Sequence, residues 1–368
     1  MTIAILYREE LKEYDFGIGH PLRGDRFEIF PNFLKAHLRE NGYYSFVSAE
    51  SAENNDLLKI CSQDYINFTT DFYRAANLGL GYDDRFYEYH SADNMPQSGC
   101  GKVEEAARIV IGQAKLSADL IISGQFKKAI SIGGGTHHAK RNYGEGFCLY
   151  NDVAFTANYL LEKYGMERIL ILDTDAHAGN GTSDYFYSNR KVLFIDIHQD
   201  PSTLYPGSGF ASDIGNGEGR GFTINIPLPR GAGNDSYRQV FEEIIEPITK
   251  EFQPQIIIRN GGSDPHFADG LTDLGLTVSG FKMIGEKVRK MAEICSGKEI
   301  DLIASGYNAQ VLPYAWLSLI SGLADFPIQT EEPVPVPGQF QQDSFLTVNQ
   351  EVIAEVKSHV KKYWKCLS

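Results

Sequence analysis

Short runs of apolar and β-branched residues alternate along this chain with stretches in which apolar residues recur at helical spacing. The short runs predict strands at residues 3–6, 128–132, 169–172, 192–197, 222–226, 256–258 and 300–304. The helical spacing predicts helices at residues 103–123, 153–164, 237–252 and 281–293. Because strands and helices alternate, we expect an α/β protein with a mainly parallel sheet and helices on both of its faces.

The carboxy-terminal part of the chain has a different pattern. Residues 327–337 include the sequence Glu-Glu-Pro-Val-Pro-Val-Pro, which predicts an extended connector. Residues 348–364 have the spacing of a closing helix. We therefore expect the α/β region to be followed by a connector and one final helix.

Polar and glycine-rich segments follow four of the predicted strands. They are Gly-Gly-Gly-Thr-His-His at 133–138, Asp-Thr-Asp-Ala-His at 173–177, Arg-Asn-Gly-Gly-Ser-Asp at 259–264 and Ser-Gly-Tyr-Asn at 305–308. Ligands of parallel α/β sheets bind outside the carboxyl ends of the strands, so these segments mark the expected site. The first glycine run does not complete a phosphate-binding motif, which excludes a phosphate cradle.

The second of these segments carries a carboxylate and an imidazole two residues apart. In an extended segment, residues two apart point to the same side, so Asp175 and His177 can bind one metal ion. An isolated Asp-x-His triplet is weak evidence, and an adjacent histidine pair is often a structural feature. The grouping of acids, histidines and a tyrosine at the same sheet edge favours a catalytic site.

Composition narrows the classes of function. Of the 368 residues, 42% are hydrophobic and 22% are charged, as in an ordinary globular protein. The formal charge of -14 argues against nucleic-acid binding through a basic face and mildly favours cationic ligands, although an acidic surface for solubility is the better explanation. The five cysteines are widely spaced without a Cys-x-x-Cys pair, which favours reduced thiols. Since we find neither a membrane-spanning run nor a signal-peptide core, we expect a cytoplasmic protein that does not enter a membrane.

Seven motifs occur in one order along the chain. They are Gly-Gly-Gly-Thr-His-His-Ala at 133–139, Gly-Phe-Cys-Leu-Tyr-Asn-Asp at 146–152, Asp-Thr-Asp-Ala-His at 173–177, Gly-Asn-Gly-Thr at 179–182, Tyr-Pro-Gly-Ser-Gly at 205–209, Gly-Ser-Asp at 262–264 and Gly-Tyr-Asn at 306–308. In this order and approximate spacing they resemble the histone deacetylase superfamily, which includes lysine deacetylases, acetoin-utilisation proteins and acetylpolyamine amidohydrolases. The resemblance runs from Gly19 to Asn308.

This resemblance implies a three-layer arginase/deacetylase-like α/β fold with a central, mainly parallel sheet of about eight strands. It implies a deacetylase catalytic domain over residues 1–326, with the connector and helix of residues 327–368 packing on the same domain. The activity it implies is metal-dependent hydrolysis, in which an activated water removes an acetyl or other acyl group from the amine of acetyl-lysine in a protein or peptide.

By this resemblance, Asp175, His177 and Asp264 ligate one catalytic zinc ion and leave positions open for water and the substrate carbonyl. Two carboxylates and one imidazole form a harder ligand set than three histidines, so iron(II) or another divalent metal is an alternative. The resemblance also implies a structural potassium ion near Asp196, which stands where the family often has a smaller hydroxyl residue.

The same resemblance assigns catalytic roles to five residues. His138 is expected to be the general base and His137 its electrostatic partner. Asp173 is expected to pair with His137, and Asn180 to face His138. Tyr307 is expected to polarise the acetyl carbonyl and to stabilise the tetrahedral oxyanion.

Five further residues resemble substrate-binding positions of the family. Gly146, Phe147 and Tyr205 are expected to line a narrow tube, with Leu271 near its mouth. Asp83 resembles a rim aspartate that binds the backbone amides of a substrate. Packing is the alternative explanation for each aromatic residue.

Four further positions are compared with the family pattern. Arg26 resembles a basic residue that lines an internal acetate-release path, for which a surface salt bridge is the alternative explanation. Ala178 stands where many family members have a second histidine. Asn180 replaces an aspartate found in some members, so the pH optimum is expected to differ. Asp196 alters the expected coordination of potassium.

Two other functions are weighed against the lysine deacetylase. An acetylpolyamine or other small N-acetyl amine amidohydrolase would be expected to place a carboxylate near the mouth, where this chain has Leu271. Acids on another loop could supply that charge; they are Asp83, Asp84, Glu88 and Asp93. An inactive binding protein is disfavoured because the metal ligands, histidine pair and tyrosine are all present. The sequence leaves the oligomeric state open.

A ureohydrolase of the arginase type would share the layered fold, but it needs two metal ions and additional ligands. Ala178 and Pro265 stand at the positions where those ligands would be expected and supply none. The sequence therefore predicts a site for one divalent metal ion.

Overall fold

The computed structural model of the chain describes residues 2–40, 42–80 and 83–367. Within these residues the strands are β1 (Ile3–Leu6), β2 (Tyr44–Val47), β3 (Lys128–Ile132), β4 (Ile169–Asp173), β5 (Val192–Gln199), β6 (Thr223–Leu228), β7 (Ile256–Asn260) and β8 (Glu299–Ile303). They form one parallel sheet in the order β2-β1-β3-β8-β7-β4-β5-β6. The predicted α/β class and central parallel sheet are confirmed.

Helices connect most of these strands. They are α1 (Arg26–His37), α2 (Asn54–Leu57), α3 (Gln63–Asn77), α4 (Phe86–Tyr89), α5 (Val103–Ile122), α6 (Asp152–Tyr164), α7 (Asn180–Phe186), α8 (Asn234–Val240), α9 (Glu246–Phe252), α10 (Val278–Ala292), α11 (Leu312–Ala324), α12 (Gly338–Gln341) and α13 (Leu346–Val360). A π-helical turn, Phe241–Ile245, joins α8 to α9. The four predicted internal helices correspond to α5, α6, the α8–α9 pair and α10, and the predicted closing helix corresponds to α13.

The predictions missed one strand and several helices. Strand β2 was missed because Tyr44 alone is buried in it, so it lacks an apolar run. Helix α11 was missed because it is buried almost all round and therefore has no polar face that would reveal a helical period. Helix α1 contains Pro31, a residue that normally argues against a helix interior.

The described residues form two compact units. The amino-terminal unit comprises residues 2–165 and 302–304, and the carboxy-terminal unit comprises residues 166–301 and 305–367. In the amino-terminal unit, β1 pairs with β2 and β3, and α5 packs against β1 and β3. The N–H of Gly133, just after β3, donates to the carbonyl of Ile303 at 2.8 Å.

In the carboxy-terminal unit, β4 lies between β5 and β7, and all three strands are buried along their whole length. Strands buried on both faces read as continuous apolar runs, which is why the sequence predicted them well. Helices α10 and α11 pack closely together. Gly285 and Gly322 make this approach possible, because a Cβ at either position would overlap the backbone of the other helix.

Residues 327–337 form neither helix nor strand and lead into α12 and α13. Helix α13 packs against β6, and the indole N–H of Trp364 donates to the carbonyl of Gly221 at 2.8 Å. The end of the chain is thus attached to the carboxy-terminal unit. Among the helices in the described ranges, none combines the length and apolar character needed to cross a bilayer.

A fully buried ion pair between an arginine and an aspartate lies inside the carboxy-terminal unit. The Arg259 side chain on β7 donates through Nε to Asp301 Oδ2 at 2.9 Å, and both side chains are fully buried. The same guanidinium donates to Thr174 Oγ1 at 3.2 Å and to the Asn260 carbonyl at 3.1 Å. These bonds tie β7 and β8 to the segment that follows β4.

Replacing Arg259 with methionine should lower the free energy of unfolding by about 3–5 kcal/mol, because it leaves the Asp301 carboxylate buried without its cation. Urea denaturation measures this loss. The double variant Arg259→Met/Asp301→Leu should be more stable than the single variant, since it removes the unpaired charge.

The control is Lys191→Gln, which breaks an exposed pair with Glu167 at 2.9 Å. Exposed pairs contribute about 0–1 kcal/mol, so this variant should unfold almost as the parent does. An Arg259→Met variant as stable as the control would show that the buried pair of Arg259 and Asp301 does not stabilise the fold.

Candidate active site

Three potential metal ligands meet beyond the carboxyl ends of β4 and β7. Asp175 and His177 follow β4, and Asp264 follows β7. Their ligand atoms all lie within 4.8 Å of one another, and the three residues are buried. Residues so far apart in sequence meet because β4 and β7 are paired with Asp173 opposite Asn260, so the two following segments begin side by side. The structure therefore brings together the ligand set that the sequence predicted.

Local hydrogen bonds orient each member of this ligand group. The backbone N–H of His177 donates to Asp175 Oδ1 at 2.9 Å. The Ser305 hydroxyl donates to Asp264 Oδ1 at 2.8 Å, and the Thr272 hydroxyl donates to the Asp264 carbonyl. These contacts leave the carboxylates with limited freedom to move apart.

The electrostatics of the ligand group suit a divalent cation. His177 Nδ1 lies 3.1 Å from Asp175 Oδ1 and 3.0 Å from Asp264 Oδ2, yet one ring nitrogen carries at most one hydrogen. Burial, reinforced by the charge of Asp175, raises the pKa of Asp264. A cation at this point would accept a lone pair from all three residues and neutralise both carboxylates, so the group fits a metal ion.

The other acid on this segment has a different environment. Asp173 Oδ1 accepts the backbone N–H of Asp175 at 3.1 Å, and Oδ2 accepts from the Asn260 side-chain amide at 2.8 Å. Asp173 therefore supports the turn that presents Asp175. Its predicted role toward His137 stays a prediction, as does the role of Asn180, the first residue of α7.

The predicted catalytic histidines lie in the amino-terminal unit, just after β3. The Nε2 atoms of His137 and His138 are 3.1 Å apart, and both residues are buried. This contact is favourable only when one Nε2 carries a hydrogen and the other presents a lone pair. The pair can therefore share a proton, and imidazole is the side chain that most often serves in general acid–base chemistry.

Two residues that the sequence analysis gave no role hold the backbone around this pair. Asp152 Oδ1 accepts the N–H of Gly135 at 2.9 Å and that of Thr136 at 2.7 Å. Asn151 donates to the His137 carbonyl at 3.2 Å and caps α6 by accepting the N–H of Ala154 at 2.8 Å. Both belong to the motif at 146–152, and Asn is a preferred N-cap residue, which is the signal that could have revealed them.

Gly146 and Phe147 lie against the histidine pair and its neighbours. Gly146 has φ 59°, and a Cβ at this position would overlap the His138 ring, so only glycine fits. Phe147 also has a positive φ, 65°, and its carbonyl accepts the hydroxyl of Tyr14 at 2.9 Å. The Phe147 ring packs edge-on against His20, with centroids 4.6 Å apart. A bulky residue held at positive φ is strained, and such strain is concentrated at functional sites.

Tyr307 follows the segment that leaves β8. Its backbone N–H donates to Asp269 Oδ2 at 2.7 Å, and the Asn308 side chain donates to the Ala268 carbonyl at 2.7 Å. Residues 265–276, which we call the ligand loop because it directly follows Asp264, therefore set the position of the Tyr307 backbone. The role of Asp269 was not predicted, because nothing in the neighbouring sequence distinguishes it from a surface acid.

The remaining predicted substrate residues are more exposed. Tyr205 is 40% exposed and Leu271, in the ligand loop, is 38% exposed. Asp83 forms an ion pair with Arg85 at 2.6 Å. Arg26 is buried and donates to the carbonyls of Ala304 and Pro21 at 3.1 and 3.3 Å. Its predicted role in an acetate-release path stays a prediction.

The two departures Ala178 and Asp196 lie close together. Asp196 Oδ2 accepts the N–H of Gly179 at 2.8 Å, and Oδ1 lies 2.9 Å from His198 Nδ1. His198 Nε2 donates to the Gly209 carbonyl at 2.9 Å. A Cβ at Gly209 would lie 2.9 Å from the Ala178 Cβ, so the Ala178 side chain packs against the backbone of Gly209. The predicted potassium ion stays a prediction.

Comparison with known proteins identifies relatives along the whole chain. The family model of the histone deacetylase domain matches residues 20–323. A probable deacetylase of Archaeoglobus fulgidus is 34% identical over 378 residues, covering 100% of this chain and 99% of the relative. The acetoin utilization protein AcuC of Staphylococcus aureus (strain MSSA476) is 34% identical over 330 residues, covering 89% of this chain and 83% of the relative. The crystal structure of the HDA15 HD domain matches with a TM-score of 0.83 at 23% identity, covering 100% of this chain and 97% of that chain, and so has the same fold.

Metal analysis of the purified protein should find about one divalent ion per chain, because Asp175, His177 and Asp264 form a three-ligand set. The variant Asp264→Ala should lose this ion. The matched control is Asp273→Asn on the ligand loop, an exposed acid paired with Arg230 at 3.0 Å. Full metal content in the Asp264 variant would refute the ligand assignment.

Proposed function

The chain belongs to the histone deacetylase family, and we propose that it is a metal-dependent amidohydrolase that removes acetyl groups from the side-chain amine of acetyl-lysine. The observation that carries this proposal is the buried group of Asp175, His177 and Asp264, with all ligand atoms within 4.8 Å. Acetylated lysine residues in proteins or peptides are the proposed substrates.

Zinc is the proposed metal, with iron(II) or another divalent ion as the alternative. A divalent ion supplies Lewis acidity, which polarises a carbonyl and lowers the pKa of water. Asp175, His177 and Asp264 would hold it, and Ser305 would keep the Asp264 carboxylate oriented through its 2.8 Å hydrogen bond. Two oxygen ligands make the site harder than a purely imidazole site, so the choice between zinc and iron depends on metal supply.

His138 is proposed as the general base that takes a proton from the attacking water and later delivers it to the leaving amine nitrogen. The contact between the Nε2 atoms of His137 and His138 supports a pair that acts together, because a proton on one ring can be shared with the other. His137 would act as the electrostatic partner. Asp152 and Asn151 would keep both rings in place by holding the backbone on either side.

Tyr307 is proposed to donate its hydroxyl hydrogen to the carbonyl oxygen as negative charge develops there. Such a donor contributes most when it is positioned before the reaction begins. The hydrogen bond from the Tyr307 N–H to Asp269 supports this proposal, since it fixes the backbone from which the side chain extends.

We assign substrate contacts to Gly146, Phe147, Tyr205, Leu271 and Asp83. Acetyl-lysine is favoured over an acetylpolyamine because Leu271 offers no charge to a distant ammonium group. One of the acids that could replace such a charge is engaged elsewhere, because Asp93 Oδ2 accepts the N–H of Gly146 at 3.0 Å.

Cytoplasmic localisation and structural potassium are part of the same proposal. Cytoplasmic localisation is supported by five widely spaced cysteines without a Cys-x-x-Cys pair, a pattern typical of reducing compartments. No direct binding to nucleic acid is proposed, because the formal charge of -14 repels phosphates.

Replacing Tyr307 with phenylalanine should lower kcat for an acetyl-lysine peptide by about 10²-fold or more, because it removes one donor to the oxyanion. Steady-state hydrolysis, followed by acetate release, measures this effect. Metal content should stay unchanged.

Tyr363→Phe is the control, since Tyr363 packs on Gly221 far along the chain from Tyr307. This variant should keep the parent kcat. Near-normal turnover by Tyr307→Phe would remove Tyr307 from the mechanism, and a parent that hydrolyses no acetylated amine would favour a binding protein instead.

Leu271 should control the choice between peptide and polyamine substrates. The variant Leu271→Glu should raise kcat/KM for acetylputrescine relative to an acetyl-lysine peptide, because the carboxylate attracts the free ammonium group. Leu271→Gln, which has the same shape without the charge, is the matched control. Equal selectivity in both variants would show that charge at this position does not select the substrate.

A further inference from the structure

The carboxy-terminal connector makes specific contacts with the ligand loop. We call residues 327–345 the strap. Two of its carboxylates, Glu332 and Asp343, accept backbone N–H groups at the beginnings of two helices of the carboxy-terminal unit. Glu332 also contacts the ligand loop itself, which separates its role from that of Asp343.

Glu332 accepts two hydrogen bonds in different directions. Its Oε2 accepts the N–H of Val278 at the start of α10 at 2.9 Å, and its Oε1 lies 2.8 Å from His266 Nε2. The His266 side chain is fully buried, and Glu332 is largely buried. A buried carboxylate with two donors is strongly held.

The hydrogen-bond pattern determines the tautomer of His266. Its Nδ1 accepts the backbone N–H of Ala268 at 3.1 Å, so Nδ1 has no hydrogen. The ring hydrogen is therefore on Nε2, where it is donated to Glu332. His266 thus bridges the strap and the backbone of the ligand loop.

From His266, two further bonds lead to Tyr307. The Asp269 N–H donates to the His266 carbonyl at 2.9 Å, and Asp269 Oδ2 accepts the Tyr307 N–H at 2.7 Å. The Ala268 carbonyl accepts from the Asn308 side chain at 2.7 Å. Asp269 Oδ1 also accepts the N–H of Leu271 at 2.9 Å. One continuous set of bonds therefore connects Glu332 to the backbones of Tyr307 and Leu271.

Aromatic packing holds the strap on the same loop. The ring of Phe340 stacks on Phe267, with centroids 5.4 Å apart and planes 26° apart. Phe340 also covers Gly275, where a Cβ would lie 2.9 Å from its ring. The strap thus contacts the ligand loop near both ends of that loop.

We propose that Glu332 is a positioning residue for the deacetylation reaction, acting through His266 to hold the ligand loop and, with it, Tyr307. This proposal rests on the proposed function. The strap is then part of the catalytic apparatus and not only a fastening for the last helix. Glutamine cannot replace Glu332, because its single acceptor oxygen leaves its amide N–H₂ facing either His266 Nε2–H or the Val278 N–H.

Glu332→Gln should lower kcat for an acetyl-lysine peptide roughly tenfold, because small displacements of a catalytic group are costly. KM should stay within about twofold, because only one of the proposed substrate contacts, Leu271, lies on the ligand loop. The metal content should not change, since Ser305 still holds the Asp264 carboxylate. Should Glu332→Gln not fold, His266→Gln tests the same connection while keeping the bond from Val278 to Glu332. Because both act through one contact, the double variant should show no further loss of kcat.

Two variants serve as matched controls. Glu331→Gln removes the same charge from the adjacent, exposed glutamate. Asp343→Asn removes the carboxylate that accepts the N–H groups of Gly233 and Ser236 at 2.9 and 2.7 Å, without touching His266. Both should keep the parent kcat. If Asp343→Asn reduced kcat as much as Glu332→Gln, general attachment of the strap would explain the effect and the proposal would be overturned.

Hydrogen exchange without substrate gives a measurement that does not depend on activity. In Glu332→Gln, the amides of Ala268, Leu271 and Tyr307 should exchange faster than in Glu331→Gln. Equal exchange in both variants would overturn the positioning role. A parent protein inactive on every acetylated amine would instead refute the proposed function, while the exchange comparison would still decide whether Glu332 holds the loop.

Discussion

The convergence of two buried carboxylates and one imidazole is the constraint on which the site depends. Burying Asp175 beside Asp264 is unfavourable unless a positive charge faces both, and burial together with this proximity raises the pKa of Asp264. The parallel register of β4 and β7, with Asp173 opposite Asn260, brings the two acids out of the sheet on neighbouring strands. Strand pairing therefore supplies the position, and a divalent cation would supply the missing charge.

The groups around this centre orient its carboxylates, since Asn260 and Ser305 donate to those of Asp173 and Asp264. In the amino-terminal unit, Asp152 accepts backbone N–H groups that precede the histidine pair. Polar groups that are buried must be hydrogen-bonded, so each of these contacts also satisfies a group that would otherwise be costly. The proposed role of Glu332 extends this arrangement to the end of the chain. Stability and orientation of the reactive groups thus come from the same hydrogen bonds.

The sequence predicted the sheet better than the helices. Strands such as β4 and β7 are buried on both faces, and continuous apolar runs identify them directly. Helix α11 has no polar face, so periodicity could not reveal it. The candidate ligands were predicted because glycine-rich motifs follow the strands in a recognisable order. Asp269 was missed, because an acid that binds a distant backbone N–H has no local sequence signature.

The amino-acid sequence specifies which chemical groups are present and the order in which they follow the strands. The role of each acid depends on the folded structure. Asp173 and Asp175 are two residues apart on one segment, yet Asp175 joins the ligand group while Asp173 accepts the N–H of Asp175. Glu331 and Glu332 are adjacent, yet only Glu332 contacts His266. The physical reason is that a carboxylate takes its role from the donors and charges packed around it, and these come from parts of the chain that folding alone brings together.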